Sequence, residues 1–94
     1  MIVSYRGKRT SSFAAGRRVK AFSAIDRAAQ LKLDRLEAVV SLTDLAALPG
    51  DRFEKLGGDR AGQYSIRIND QWRVCFEWPP GSVGPVNVEI ADYH

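Results

Sequence analysis

The stretch that decides the fold is QYSIRINDQWRVCFEW, residues 63–78. Apolar and polar residues alternate on both sides of a short polar segment, Asn69-Asp70-Gln71. Such alternation is typical of antiparallel strands that bury one face and leave the other face in water. We therefore predict two strands, over residues 63–68 and 72–78, joined by a three-residue loop.

The loop length decides which residues of the two strands face each other. A three-residue loop places Ile66 opposite Val74 and Arg67 opposite Arg73, whereas a two-residue loop places Ile66 opposite Arg73 and mixes the faces. A one-residue slip of that kind sends the core residues to the solvent side, so the three-residue loop is favoured.

This register predicts that Arg67 and Arg73 face each other on the exposed side of the sheet. Like charges placed directly opposite each other destabilise a sheet. Two interpretations stay open: acidic neighbours such as Glu77 or Glu89 compensate the charges, or the planar guanidinium groups form a phosphate-binding floor.

The flanking sequence predicts the remaining elements. An opening strand is expected over residues 1–5 and a last strand over residues 86–90. A short helix is expected over residues 8–16, and an amphipathic helix over residues 26–42 with Asp26 as its N-cap. The apolar positions of the second helix are Ala29, Leu31, Leu33, Leu36, Ala38, Val39 and Val40.

Length, cysteine usage and charge set the broad class of protein. The 94 residues suit one domain, predicted over residues 1–94. The only cysteine, Cys75, lies in an apolar run and is expected to be buried and reduced. No signal peptide or membrane span is recognisable. The net charge is +7 over residues 1–35 and −4 over residues 36–94, which fits either a polyanion-binding surface or a solvated helix face.

The only histidine, His94, follows Tyr93 at the end of the last predicted strand. A histidine at a chain end is usually inert. Because the pKa of an unperturbed imidazole is about 6.5, however, such a residue can also exchange protons at neutral pH. The last strand is expected to bring it out of the sheet near the two arginines.

Two runs of sequence resemble the HigB toxins of the RelE/ParE superfamily. They are GDRAGQYSIRINDQWRVCF, residues 58–76, and VEIADYH, residues 88–94. The Met1-Ile2 start, the Leu48-Pro49-Gly50 segment and the chain length also fit that family. The resemblance implies an α+β, RelE-like fold in which an N-terminal strand and two helices pack on an antiparallel sheet.

The resemblance also implies an activity and a set of partners. HigB toxins are ribosome-dependent endoribonucleases that cut messenger RNA in the ribosomal A site by attack of a 2′-hydroxyl, without a metal or other cofactor. They are neutralised by an antitoxin with a helix-turn-helix domain. We therefore expect a cytoplasmic toxin whose partners are a HigA-like antitoxin, the ribosome and messenger RNA. Contact with operator DNA is expected only through the antitoxin, and no membrane association is expected.

Matches to the family's motifs assign the candidate catalytic residues. Arg73 matches a strand arginine that binds the phosphate, and Arg67 on the neighbouring strand is a second candidate. His94 matches the terminal histidine and is expected to transfer a proton, as the acid. Tyr93 is expected to stack on a base or to orient the phosphate, and Asp92 to orient its neighbours.

The chain departs from the family at Glu54, where several HigB toxins carry a histidine. A carboxylate can also act as a base, so Glu54 either replaces that histidine or is a surface acid, in which case the base is missing. Lys55 beside it is a weaker phosphate candidate. The residues expected to contact RNA or ribosomal phosphates are Lys8, Arg9, Arg17, Arg18, Lys20 and Lys55.

Two other functions fit the same fold. A toxin of the ParE kind would inhibit a protein such as DNA gyrase without cutting RNA. The set of Arg73, Tyr93 and His94 argues against it, because the ParE branch generally lacks that set. A decayed toxin that acts only with its antitoxin stays open because of Glu54.

Overall fold

A four-stranded antiparallel sheet forms the centre of the structure, a computed structural model that describes residues 1–92. The strands, in their order across the sheet, are β1 (Glu54–Lys55), β2 (Gln63–Arg67), β3 (Trp72–Glu77) and β4 (Val86–Asp92). The helices are α1 (Lys8–Ala14), α2 (Asp26–Ala38) and α3 (Leu42–Ala46), with short 3₁₀ turns at Lys20–Phe22 and Gly58–Arg60. This is the predicted α+β arrangement. None of the helices within residues 1–92 has the length and apolar character needed to span a membrane.

The β2–β3 hairpin has the register that the loop length predicts. Arg67 lies opposite Arg73 and Ile66 lies opposite Val74. The turn is stabilised by its first residue, because Asn69 Oδ1 accepts hydrogen bonds from the backbone N–H groups of residues 71 and 72, both at 2.8 Å. Side-chain acceptance of this kind is the usual role of asparagine in a turn.

The helices cover one face of the sheet and form the main core with it. Its fully buried residues include Leu36 of α2, Leu45 of α3, Ile66 of β2, Val74 of β3 and Val88 of β4. Burial on this scale is the dominant stabilising contribution in a small domain. The predicted helical stripe is confirmed at Ala29, Leu33 and Leu36 and wrong at Leu31, Ala38 and Val40, which are exposed.

The predicted helix over residues 26–42 is two helices in the structure. α2 ends at Ala38, where Val39 takes an extended conformation, and α3 starts after Ser41, whose Oγ accepts a hydrogen bond from Asp44 N at 3.1 Å. Valine is a poor helix former and serine a good N-cap, which explains the break. Asp26 is the first residue of α2 and does not cap it.

The predicted opening strand is reduced to one parallel bridge, between Tyr5 and Val88 of β4. Residues 3–6 still follow the edge of β4, since Val3 N donates to Pro85 O at 2.8 Å and Arg6 N donates to Val88 O at 2.9 Å. The pairing stops there because the next residue has a φ of 82° and turns the chain into α1.

The second face of the sheet is partly covered as well, whereas the sequence pattern predicted a water-exposed face. Leu56, Cys75 and Ala91 form a small buried cluster on it, and Ser65 is fully buried. Leu56, directly after β1, contributes to this cover. β1 itself was not predicted.

A buried ionic cluster joins α2 to the sheet. Asp51 is fully buried, and its Oδ1 atom lies 2.6 Å from Lys32 Nζ and also accepts from Arg35 Nη1. The backbone oxygen of Asp51 accepts a hydrogen bond of 2.7 Å from Arg67 N in β2. Removal of one partner from a buried ion pair leaves an uncompensated charge in the interior.

We expect Asp51→Asn to lower the free energy of unfolding by about 3–5 kcal/mol, because Lys32 then keeps a buried charge without its carboxylate. Urea denaturation measures this change. Asp34→Asn is the matched control, since Asp34 lies exposed on the same helix as Lys32. Equal stability of the two variants would show that the cluster does not hold α2 on the sheet.

Candidate active site

Arg73 is held on the second face of the sheet by three groups. Its Nε atom donates to Ser65 Oγ at 2.8 Å, and its Nη2 atom donates to the backbone oxygen of Arg52 at 2.6 Å. Its Nη1 atom lies 3.9 Å from Glu54 Oε1. Only 11% of the Arg73 side chain is exposed. The guanidinium group is therefore fixed in one orientation, as a group that stabilises developing charge needs to be.

The prediction of an exposed arginine pair is wrong for Arg73 and only partly right for Arg67. Arg67 is half-buried and pairs with Asp70 in the β2–β3 loop. The acids paired with these arginines among residues 1–92 are Asp70 and Glu54, rather than Glu77 or Glu89. Glu77 and Glu89 have other partners. Glu77 Oε2 accepts a hydrogen bond of 3.1 Å from Asn87 Nδ2, and Glu89 Oε1 lies 3.7 Å from Arg60 Nη1.

Glu54 lies beside the guanidinium group of Arg73 and remains open to solvent. It faces Ser65 across the β1–β2 pair, and 56% of its side chain is exposed. A carboxylate in that position can reach both the arginine and a bound substrate. Lys55, by contrast, lies opposite Tyr64, whose ring stacks on Phe53 against the main core. It is therefore not placed on the Arg73 face.

Asp92 ends β4 directly beside the candidate site. It lies opposite Trp72, and Ala91 before it lies opposite Arg73. Asp92 Oδ2 accepts a hydrogen bond of 3.0 Å from Gln71 Nε2. The candidates Tyr93 and His94 lie outside the described residues, so their roles stay predictions.

The predicted RNA-contacting residues fall on separate surfaces. Lys8 and Arg9 line a groove of about 620 Å³ beside β4, which we call the β4 groove. Arg17 and Arg18 line another groove, of about 980 Å³, beside α2. Lys20 is exposed on the first 3₁₀ turn, and Lys55 is exposed on β1. The structure brings Glu54, Arg67 and Arg73 together on one face of the sheet, with Asp92 nearby at the end of β4.

Sequence reasoning missed the groups that position Arg73. Ser65 shares the polar alternation of Arg67 and Arg73, and that shared face is the signal that could have identified it. Arg52 contributes only its backbone oxygen, from a left-handed conformation with a φ of 47°. Non-glycine residues rarely adopt that conformation, and they cluster at functional sites. An arginine in the sequence does not predict this left-handed conformation.

No group of three or more His, Cys, Asp or Glu side chains within residues 1–92 is placed to hold a metal ion.

Comparison with known families decides the identity of the fold. A family model described as the HigB-like toxin, the RelE-like toxin of the type II toxin-antitoxin system HigB, matches residues 10–94. The chain belongs to this family. The resemblance seen in the two sequence runs is thereby confirmed, and so is the RelE-like α+β fold that it implied.

Two curated relatives of this family member are similar over part of their length. Toxin HigB-1 of Vibrio cholerae is 44% identical over 59 residues, which cover 63% of this chain and 62% of the relative. Endoribonuclease HigB of Proteus vulgaris is 35% identical over 63 residues, which cover 65% of this chain and 66% of the relative. The chain therefore matches slightly less than two-thirds of each relative.

Ser65→Ala is expected to free Arg73 from its Nε anchor and to lower the free energy of unfolding by about 1–3 kcal/mol, because a buried donor loses its acceptor. Thermal denaturation measures the stability, and the chemical shift of the Arg73 Nε–H proton reports the lost contact. Ser11→Ala on the exposed side of α1 is the control. An unmoved Nε–H resonance would contradict the hydrogen bond.

Burial raises the pKa of the Cys75 thiol, and Glu89 raises it further against the opposite effects of Arg60 and Arg73. The thiol has a higher pKa in the folded protein than in the unfolded chain, so ionisation of the thiol favours unfolding. The free energy of unfolding therefore decreases as the pH rises past the pKa of the unfolded thiol, about 8.5. We expect iodoacetamide to label the folded protein on the order of tenfold or more slowly than the protein in denaturant. Cys75 is the only cysteine, so mass spectrometry reports it directly. Equal labelling rates at pH 8 would contradict the burial.

Proposed function

We propose that this protein is the toxin of a type II toxin–antitoxin pair and a ribosome-dependent endoribonuclease that cuts messenger RNA. The main support is the position of Arg73 and Glu54. The guanidinium group of Arg73 is fixed next to the end of β4, and its Nη1 atom lies 3.9 Å from the exposed carboxylate of Glu54. Membership of the HigB-like family gives the reaction class. The name of the Proteus vulgaris relative, Endoribonuclease HigB, agrees with it.

The proposed reaction is an internal transfer at phosphorus. The 2′-oxygen attacks the adjacent phosphate, the bond to the 5′-oxygen breaks, and the products carry a 2′,3′-cyclic phosphate and a 5′-hydroxyl. A base takes the proton of the 2′-hydroxyl, an acid gives a proton to the leaving 5′-oxygen, and a cation stabilises the charge on the phosphoryl oxygens. No step in this scheme requires a metal ion.

Each of these tasks has a candidate residue in the chain. Arg73 contacts the phosphoryl oxygens, with Arg67 as the second cation. Glu54 acts as the base, since it is exposed and adjacent to Arg73. His94 acts as the acid, Tyr93 stacks on a base or orients the phosphate, and Asp92 orients these two neighbours. The whole chain, residues 1–94, acts as one domain.

The proposed partners are a HigA-like helix-turn-helix antitoxin, the ribosome and messenger RNA. The family is defined by a two-component toxin-antitoxin system, which supports the antitoxin. Lys8, Arg9, Arg17, Arg18, Lys20 and Lys55 are proposed to contact RNA phosphates on the ribosome. Such contacts position a protein without reading sequence. Operator DNA is contacted through the antitoxin, and the site of action is the cytoplasm.

We expect His94→Ala and Glu54→Gln each to slow messenger RNA cleavage by about 10²–10⁴-fold, because each variant removes one proton-transfer group. The measurement is primer extension of messenger RNA in a reconstituted translation system, with and without ribosomes. End-group analysis of the products tests for the cyclic phosphate. The control is Asp44→Asn, which converts an exposed carboxylate of α3 into an amide away from the candidate site and from both grooves.

The same experiment separates the alternatives. Growth arrest on expression without any cleavage would overturn the nuclease proposal and favour a toxin that inhibits a protein target. Absence of both cleavage and growth arrest, with antitoxin binding intact, would favour a decayed toxin. Cleavage that persists without ribosomes would contradict the ribosome dependence alone.

A further inference from the structure

Buried apolar residues and exposed charged residues together line the β4 groove. Thr10, Phe22 and Ile90 are buried at its base, and the half-buried ring of Trp72 also lines it. Phe22 meets the Trp72 ring at an interplanar angle of 85° with the ring centroids 5.6 Å apart, so this contact fixes the indole. The groove has a volume of about 620 Å³, within the usual range of roughly 300–1,000 Å³ for ligand sites.

The lining of the β4 groove carries an excess of positive charge. It contains four cations, Arg6, Lys8, Arg9 and Arg60, and two carboxylates, Glu89 and Asp92. Glu89 lies 3.7 Å from Arg60, so these two charges offset each other. None of the ion pairs found within residues 1–92 involves Arg6, Lys8 or Arg9. Arg6, Lys8 and Arg9 are therefore available to an anion from outside.

The β4 groove lies next to the candidate active site. Ala91 and Asp92 line the groove, and Ala91 lies directly opposite Arg73 in the β3–β4 register. Paired strands are about 4.8 Å apart, so the groove begins about one strand spacing from the Arg73 backbone. Trp72 and Arg73 are neighbours in β3 and point to opposite faces of the sheet, so a chain bound at Arg73 would reach Trp72 by passing around the outer edge of β4.

We propose that the β4 groove is a subsite for single-stranded RNA, in which a nucleotide next to the cut stacks its base on Trp72 while Arg6, Lys8 and Arg9 contact its phosphates. An aromatic ring beside a row of cations is the combination that holds unpaired RNA without reading its sequence. The inference rests on the proposed nuclease function, and it adds Arg6 and Trp72 to the substrate-binding residues.

The test uses the intrinsic fluorescence of the two tryptophans, Trp72 and Trp78. Trp78→Phe leaves Trp72 as the only tryptophan, and Trp72→Phe leaves Trp78, so excitation selective for tryptophan reports one position in each variant. The probe is a pentanucleotide of 2′-O-methyladenosine, which cannot be cut because its 2′-oxygens carry no proton. We expect the probe to quench Trp72 and to leave Trp78 unchanged. If either variant fails to fold, ¹⁹F spectra of the 5-fluorotryptophan-labelled wild type separate the two positions.

Salt titration of the same binding tests the phosphate contacts. Each phosphate contact to a single strand contributes about 0.7 to the slope of log K against log salt concentration. We therefore expect Arg6→Gln to reduce the slope by about 0.7, whereas the charge-matched control Arg27→Gln keeps the wild-type slope. In the cleavage assay Arg6→Gln is expected to raise KM without a change in kcat.

Quenching of both tryptophans, no binding of the probe, or an unchanged slope in Arg6→Gln would overturn the subsite. Weaker ribosome binding of Arg6→Gln together with unchanged probe binding would assign these cations to ribosomal RNA instead. The binding assay requires no catalysis, so a failed cleavage assay with intact Trp72 quenching would overturn only the nuclease proposal.

Discussion

The buried carboxylate of Asp51 is the contact on which the arrangement of helix, loop and sheet depends. Two cations of α2, Lys32 and Arg35, converge on one of its oxygens, and its backbone oxygen receives the N–H of Arg67 in β2. Its second side-chain oxygen has no hydrogen-bond partner among the described residues, so the compensation comes from the two cations alone. Because an unpaired buried charge is strongly unfavourable, α2 cannot slide or rotate on the sheet without a large loss of stability. The cluster thus specifies one docking position for the helix.

The same segment connects that cluster to the candidate site. Asp51 is followed by Arg52, whose oxygen accepts from Arg73, and then, two positions on, by Glu54 beside the same guanidinium group. Together with Ser65, these groups hold Arg73 before any substrate arrives. Preorganised charge of this kind stabilises a transition state without reorganisation during the reaction. Residues 51–54 therefore contribute both to the stability of the fold and to the geometry of the candidate site.

Sequence alone predicted the parts of the fold that depend on local pattern. The β2–β3 register followed from alternation and loop length, because a slip would have moved the core to the solvent side. Burial of Arg73 could not be predicted in this way, since alternation assigns a residue to a face but does not say what covers that face. The Arg73 side chain contacts Ser65, the backbone oxygen of Arg52 and Glu54, and the last two are distant from it in sequence. Asp51 directly follows Pro49-Gly50, a pair typical of turns, and nothing in the sequence around Lys32 indicates that its side chain is buried. Only the contact between them reveals why both are charged.

The extended N-terminal segment also affects how the molecule meets copies of itself. β4 is the last strand of the sheet, and its outer backbone groups would otherwise be open to pairing with a strand of another chain. Val3 N and Arg6 N donate hydrogen bonds to the backbone oxygens of Pro85 and Val88 along this edge. The N-terminal segment also packs closely against the chain before β4, because a Cβ on Gly84 would come within 1.6 Å of the Met1 oxygen. The first six residues therefore act as a cover that blocks sheet extension from one molecule to the next. Their loss would turn a closed sheet edge into a template for aggregation.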